Sequence, residues 1–88
     1  MADLGYATDM QGKLIAAARG LLGINQTELA ERAGISRKTV LALEQDTGNP
    51  TRASERAVVE ALESAGVQFE ESPGRIGVWL ARKPTQKV

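Results

Sequence analysis

The chain has 88 residues, of which 42% are hydrophobic, and its 11 basic and 11 acidic side chains give a net charge of zero. This composition is typical of one small globular domain. The absence of cysteine and histidine excludes disulfides, thiolate metal sites and catalysis by imidazole. No apolar run approaches the roughly 20 residues that span a bilayer, and the N-terminus lacks the pattern of a signal peptide. We therefore expect a cytoplasmic protein without metal or cofactor, and an enzyme is the least favoured class.

The first predicted helix runs from Met10 to Leu22. Thr8 or Asp9 is its expected N-cap, because Thr8 and Gln11 have the spacing of a capping box. One side of this helix carries its apolar residues, Leu14, Ile15, Ala18, Leu21 and Leu22. Gly23 is expected to end the helix.

Two short helices are predicted next. The first spans Gln26 to Ala33 and is broken by Gly34. The second spans Arg37 to about Gln45, and Ser36 before it is a residue type that caps helix N-termini. A polar turn over residues 46–50 should then separate this pair from the rest of the chain.

A fourth helix is predicted from about residue 52 to residue 65, with an apolar stripe and Gly66 as its C-terminal glycine. After it, residues 67–70 alternate between apolar and polar positions, as strands do, residues 72–75 form a predicted turn, and residues 76–82 are predicted to form a second strand. We therefore expect a β-hairpin packed against or beside the helices. A loose basic tail should follow from residue 83.

The most informative segment is QTELAERAGISRKTVLAL, residues 26–43. Two short helices joined by a tight turn that contains glycine form a helix-turn-helix unit. Ala30 is the small residue needed where the helices cross, and Gly34 tolerates the positive φ of the turn. The positions that must face inward are all apolar, namely Leu29, Ala33, Ile35, Val40 and Leu43.

From about residue 14 to residue 62 the sequence resembles the lambda-repressor-like (Cro/cI, XRE-type) helix-turn-helix family. In that family an arginine and a glutamate form a partly buried ion pair, and the matching positions here are Arg19 and Glu44. Desolvation offsets much of the attraction, so such a pair mainly fixes geometry. The family usually has glycine at the position of Asp46, and aspartate also tolerates left-handed backbone.

The resemblance implies a mainly α fold of four to five helices, with residues 1–66 as the DNA-binding domain. The end of the chain looks like that of a compact subgroup with a C-terminal β-hairpin. Residues 67–88 would supply this hairpin and the basic tail, and they are the expected dimerisation element of the same domain.

The resemblance also implies binding of double-stranded DNA, with the second helix of the unit in the major groove. Arg37 can bind guanine, and Lys38 can bind guanine or phosphate. Leu41 and Ala42 can contact a thymine methyl. The expected contacts to the DNA backbone, which set register without reading sequence, are Asn25, Gln26, Ser36, Thr39, Gln45 and Arg52. Gln26 is further expected to brace the recognition helix.

Members of the family usually bind palindromic sites as twofold dimers, with half-sites about 34 Å apart. The hairpin is the expected interface here, because its strands have unpaired edges and apolar side chains. The expected interface residues are Phe69, Val78, Trp79 and Leu80. Core positions for Phe69 and Trp79 are the alternative.

The predicted function is transcriptional regulation, with steric repression favoured over activation. Zero net charge counts against indiscriminate binding to nucleic acids, but not against a specific binder whose positive charge lies on one face. The alternative is an antitoxin or adaptor that binds a protein partner through the hairpin. It predicts only weak, nonspecific DNA binding, with a Kd of about 10⁻⁴ to 10⁻⁶ M at physiological salt.

Overall fold

The computed structural model describes residues 12–81, which form four helices followed by a two-stranded antiparallel hairpin. The elements are α1 (Gly12–Leu22), α2 (Gln26–Ala33), α3 (Arg37–Gln45), α4 (Arg52–Ser64), β1 (Val67–Ser72) and β2 (Arg75–Leu80). The expected fold, mainly helical with a C-terminal hairpin, is confirmed. The predicted helix start at Met10, its caps Thr8 and Asp9, and the basic tail lie outside the described residues.

All four helices and the first hairpin residue contribute to one core. Its buried members are Ile15, Ala18, Leu29, Ala30, Val40, Leu43, Val58, Leu62 and Val67. The prediction that Leu21 faces inward is wrong, because its side chain is 45% exposed. Leu21 lies on the same side of α1 as the buried Leu14, but near the C-terminal end, where the described residues 12–81 leave it exposed. Within residues 12–81, no helix is long and apolar enough to cross a membrane.

Local capping sets the limits of α2 and α3. Asn25 and Glu28 form a capping box, in which Asn25 Oδ1 accepts from the Glu28 amide at 2.8 Å and the Glu28 carboxylate accepts from the Asn25 amide at 2.9 Å. Gly34 ends α2 with a φ of 74°. Ser36 begins α3, since its Oγ accepts from the Thr39 amide at 3.1 Å. The expected roles of Gly34 and Ser36 are confirmed.

The hairpin is more regular than the sequence predicts. Ser72 pairs with Arg75, so the turn consists of residues 73–74 and the strands extend to both sides of it. β2 accordingly begins at Arg75 and ends at Leu80, rather than covering residues 76–82. The Ser72 hydroxyl donates to the Arg75 carbonyl at 3.3 Å across this turn.

The two faces of the hairpin differ. Phe69 and Val78 are opposite each other in the register, and both pack against the core. Gln68 and Trp79 are the neighbouring pair and lie on the other face, because successive side chains alternate along a strand. Trp79 Nε1 donates to Gln68 Oε1 at 2.8 Å. The pair Phe69 and Val78 therefore joins the hairpin to the helices, and Trp79 lies on the opposite, exposed face.

Candidate DNA-binding interface

The helix α3 presents a charged end and an anchored side. Val40 is fully buried and Leu43 is 8% exposed, and they fix the helix to the core. Arg37 and Lys38, in the first turn, are exposed, and neither forms an ion pair with any residue in the range 12–81. Two unpaired cations are thus available at the end of the helix that the helix-turn-helix geometry directs toward base edges.

Two of the predicted base contacts are less exposed than expected. Leu41 and Ala42 are half-buried. The chain after α3 turns back on Ala42, because the Thr47 amide donates to the Ala42 carbonyl at 3.0 Å. A Cβ added at Gly48 would lie 3.6 Å from the Ala42 Cβ. The loop that follows α3 therefore covers part of the face that helical periodicity alone would leave open, and Gln45 beyond it is exposed.

Five of the six predicted backbone contacts lie at helix N-termini, and the sixth, Gln45, ends α3. Asn25 caps α2 and Gln26 is its first residue, Ser36 caps α3 and Thr39 lies in its first turn, and Arg52 is the first residue of α4. The hydroxyls of Ser36 and Thr39 lie 2.9 Å apart. Helix N-termini carry unpaired amides and partial positive charge, which suit phosphate groups. Contact of these residues with the phosphate backbone stays a prediction, and the capping oxygens of Asn25 and Ser36 already accept backbone amides.

The cap of α4 is Thr51, whose Oγ1 accepts from the Ser54 amide at 3.0 Å. Thr51 was not among the residues predicted from the sequence. Its signal was a threonine immediately before a helical pattern. Thr51 sets the position of Arg52, which is exposed in the first turn of the helix.

The C-terminal end of α3 is braced by a network around Glu44. Arg19 Nε donates to Glu44 Oε2 at 2.7 Å, and Arg19 Nη2 donates to Glu44 Oε1 at 3.1 Å. Gln26 Nε2 donates to the same Oε1 at 3.0 Å. Hydrogen bonding to Glu44 raises the pKa of Arg19. The expected ion pair is therefore present, and Gln26 braces the recognition helix as the family resemblance implied.

A second connection between α1 and α3 was not foreseen. The amide of Gly12 donates to Asp46 Oδ1 at 3.2 Å. A Cβ at Gly12 would overlap the carbonyl oxygens of Leu43 and Glu44, so only glycine allows this approach. The one available signal was Asp46 in place of the usual glycine, and it indicated the left-handed turn, confirmed by a φ of 55°, but not the partner of its side chain.

The four residues expected at a dimer interface divide into two pairs. Phe69 and Val78 pack against the core, whereas Trp79 and Leu80 are 47% and 37% exposed. Ile76, which was not predicted as an interface residue, is also exposed, at 38%. The exposed apolar side chains of the hairpin are therefore Trp79 on its outer face and Ile76 and Leu80, which lie on the same face as Val78.

Comparison with known proteins agrees with this geometry. A family profile described as helix-turn-helix matches residues 15–63. An uncharacterized HTH-type transcriptional regulator of Methanothermobacter thermautotrophicus is 41% identical over 49 residues, which is 56% of this chain and 71% of that protein. The residues that match the family profile run from Ile15 in α1 to Glu63 in α4. This chain belongs to the lambda-repressor-like (XRE-type) family of helix-turn-helix regulators, which bind double-stranded DNA.

Proposed function

We propose that this regulator is a sequence-specific repressor that binds a palindromic operator as a homodimer, with α3 in the major groove. The observation that carries the proposal is the arrangement of α3. Its first turn presents Arg37 and Lys38 without ion-pair partners among residues 12–81. Its last turn is held by Arg19 and Gln26 through Glu44. A helix that is held firmly and has unpaired cations at its N-terminal end is suited to the recognition of base edges.

The charge distribution supports DNA binding despite the net charge of zero. Glu44 is the single acidic residue of α3, and its side chain is only 6% exposed and is paired with Arg19. The exposed surface of α3 therefore carries the two cations Arg37 and Lys38 and no free carboxylate. Local rather than total charge decides whether a surface attracts phosphates.

The proposal assigns direct readout to Arg37 and Lys38, with methyl contacts from Leu41 and Ala42. The half-burial of Leu41 and Ala42 leaves them only an edge to offer a thymine methyl. The backbone contacts are assigned to residues at the helix starts and beside the loop after α3, namely Asn25, Gln26, Ser36, Thr39, Gln45 and Arg52.

The test is selection from a pool of random duplexes at physiological salt, followed by sequencing. Arg37→Ala is compared with Arg56→Ala, which removes an exposed arginine of α4 that lies outside the assigned contacts. We expect the wild type and Arg56→Ala to enrich the same palindrome. Arg37→Ala should lose preference at one symmetric pair of positions, at a cost of about 1–3 kcal/mol for each lost contact. If no sequence is enriched by the wild type, direct readout by α3 is wrong.

We further propose that the hairpin forms the dimer interface. Within residues 12–81 each strand is paired on one side only, and unpaired strand edges readily accept another strand. Ile76, Trp79 and Leu80 are all partly exposed on β2. A second copy can satisfy the edge and cover these side chains through a twofold axis.

Sedimentation equilibrium and the fluorescence of Trp79, the chain's one tryptophan, test the dimer. As concentration rises, we expect the mass to approach that of a dimer and the Trp79 emission to shift to the blue. Trp79→Ala should weaken self-association and operator binding together, whereas Arg37→Ala should weaken only operator binding. A monomer that still binds its operator tightly would exclude the hairpin dimer. A heterologous protein that binds the hairpin, with DNA binding remaining weak and nonspecific, would favour the antitoxin or adaptor alternative.

Repression is the expected effect of such a complex, because a dimer that covers two half-sites about 34 Å apart blocks access to that stretch of promoter. A transcription assay with the selected duplex overlapping the promoter tests it. We expect the wild type to lower transcript yield and Arg37→Ala to leave it near the level without protein. An increase in yield with the wild type would indicate activation instead.

A further inference from the structure

Asp46 adopts a backbone conformation that normally favours glycine. Gly23, Gly34 and Asp46 each follow a helix with positive φ, at 69°, 74° and 55°. At each of these ends the next residue donates its amide back to the final turn of the helix, the arrangement of a Schellman motif. Among residues 12–81, Asp46 is the one residue other than glycine with positive φ. A residue kept in an unfavourable conformation indicates a role for its side chain.

The side chain of Asp46 reaches from the end of α3 to the beginning of α1 as described. Its Oδ1 accepts the amide of Gly12 at 3.2 Å. Gly12 itself lies directly against the carbonyls of Leu43 and Glu44, where no Cβ would fit. Glycine at position 12 and an acceptor at position 46 are therefore complementary, and this contact joins residues that are 34 positions apart.

This contact is the second of two attachments between α1 and the end of α3. The first is the ion pair of Arg19 and Glu44. Arg19 follows Gly12 by seven residues on α1, which corresponds to about 10 Å along a helix. The buried Val40 and Leu43 already hold α3 on the core. Two polar attachments that are separated along α1 oppose a change in the angle between the helices more strongly than one attachment does.

We propose that Asp46 is a positioning residue for DNA recognition: by accepting the Gly12 amide, it sets the angle at which α3 presents Arg37 and Lys38. The inference rests on the proposed function of α3 as the helix that reads DNA. It goes beyond a capping role, which the backbone of Asp46 performs through its own amide to the carbonyls of Ala42 and Leu43. Any residue that tolerates positive φ would perform the capping role equally well.

Two variants separate these roles. Asp46→Asn keeps an acceptor oxygen and tolerates left-handed backbone. Asp46→Gly removes the acceptor and relieves the backbone strain. Both variants remove the same negative charge, so the comparison between them is free of the general effect of charge on phosphate binding. The probe is the duplex that the wild type enriches most strongly, and the readouts are its Kd, the thermal midpoint of unfolding and the NMR shift of the Gly12 amide.

We expect Asp46→Gly to bind the duplex roughly two- to tenfold more weakly than Asp46→Asn, as for the loss of one hydrogen bond. Its thermal midpoint should be equal to or higher than that of Asp46→Asn. The Gly12 amide should shift in Asp46→Gly and stay near its wild-type position in Asp46→Asn. Weaker binding without loss of stability is the signature of positioning, since a cap alone predicts that glycine performs at least as well.

Three results would overturn the inference. Equal affinities of the two variants would show that the contact does not affect recognition. Weaker binding of Asp46→Gly accompanied by a lower thermal midpoint would assign Asp46 a role in stability only. If the NMR shift of the Gly12 amide is the same in Asp46→Gly as in the wild type, the hydrogen bond between Gly12 and Asp46 is not formed. These results differ from failure of the proposed function, in which the wild type enriches no duplex.

Discussion

Glu44 in the last turn of the recognition helix accepts hydrogen bonds from both Nε and Nη2 of Arg19, a residue of α1 that lies 25 positions earlier, at 2.7 and 3.1 Å. The same arginine donates through Nη1 to the carbonyl of Ile24 at 3.1 Å. One guanidinium thus connects α1, the link to α2 and the recognition helix. This planar, forked arrangement requires arginine, since lysine offers a single ammonium.

Removing this carboxylate should destabilise the protein strongly. We expect Glu44→Ala to lower the free energy of unfolding by about 2–3 kcal/mol, less than the roughly 3–5 kcal/mol of a fully buried pair. The smaller value follows because the Arg19 side chain is 23% exposed and can be partly rehydrated. Urea unfolding measures the change. Glu60→Ala is the matched control: its partner Arg56 lies at 3.8 Å in an exposed pair, and the loss should stay within about 0.5 kcal/mol. Equal losses in the two variants would contradict this account.

The hydroxyl of Ser36 allows capping and phosphate contact to be separated. Ser36→Asp should keep the cap of α3 and therefore the free energy of unfolding, because aspartate caps as well as serine. It should nevertheless weaken operator binding, since it brings a carboxylate toward the phosphates. Ser36→Ala should cost about 1 kcal/mol of stability, without that added repulsion. Chemical unfolding and duplex titration on both variants provide the comparison. If Ser36→Asp binds the operator as tightly as the wild type, position 36 is not at the phosphate backbone.

A phosphate contact by Arg52 predicts a specific salt dependence. Arg52→Ala should weaken binding to all duplexes by a similar factor, because phosphates carry no sequence information. The slope of log K against log salt concentration should fall in magnitude by about one. Titrations at several salt concentrations measure the slope. Arg56→Ala, one turn further along α4, should leave it unchanged, and an unchanged slope in Arg52→Ala would remove this residue from the contact set.

Two glycines of α1 should respond in opposite ways to the same substitution. Gly12→Ala places a methyl group against the carbonyls of Leu43 and Glu44, so the helices must separate, and we expect a loss of about 1–3 kcal/mol. A Cβ at Gly20 meets nothing within 4 Å, so Gly20→Ala should gain about 0.5–1 kcal/mol from helix propensity. Thermal unfolding of both variants decides the sign. Stabilisation by Gly12→Ala would show that the approach of α1 to α3 is looser than the structure has it.

The local features of the helix-turn-helix unit were predictable from the sequence, because the residues that define them are neighbours along the chain. Gly34 ends α2 and Ser36 begins α3 through contacts within a few positions. The inward positions of Leu29 and Val40, both fully buried, follow from helical periodicity. The Arg19–Glu44 pair came from family resemblance rather than from any local rule.

The contacts between elements were decided only by the tertiary structure. Gly12 and Asp46 are 34 positions apart, and no periodic pattern relates two such residues. Ala42 is half-buried because the following loop turns back on it, and Leu21 is left exposed by the other elements of residues 12–81. The sequence determined where each helix begins and turns, since short-range hydrogen bonds and steric limits control those events. The packing of distant elements determined which side chains remain free for DNA or a second copy, since exposure depends on everything that surrounds a residue.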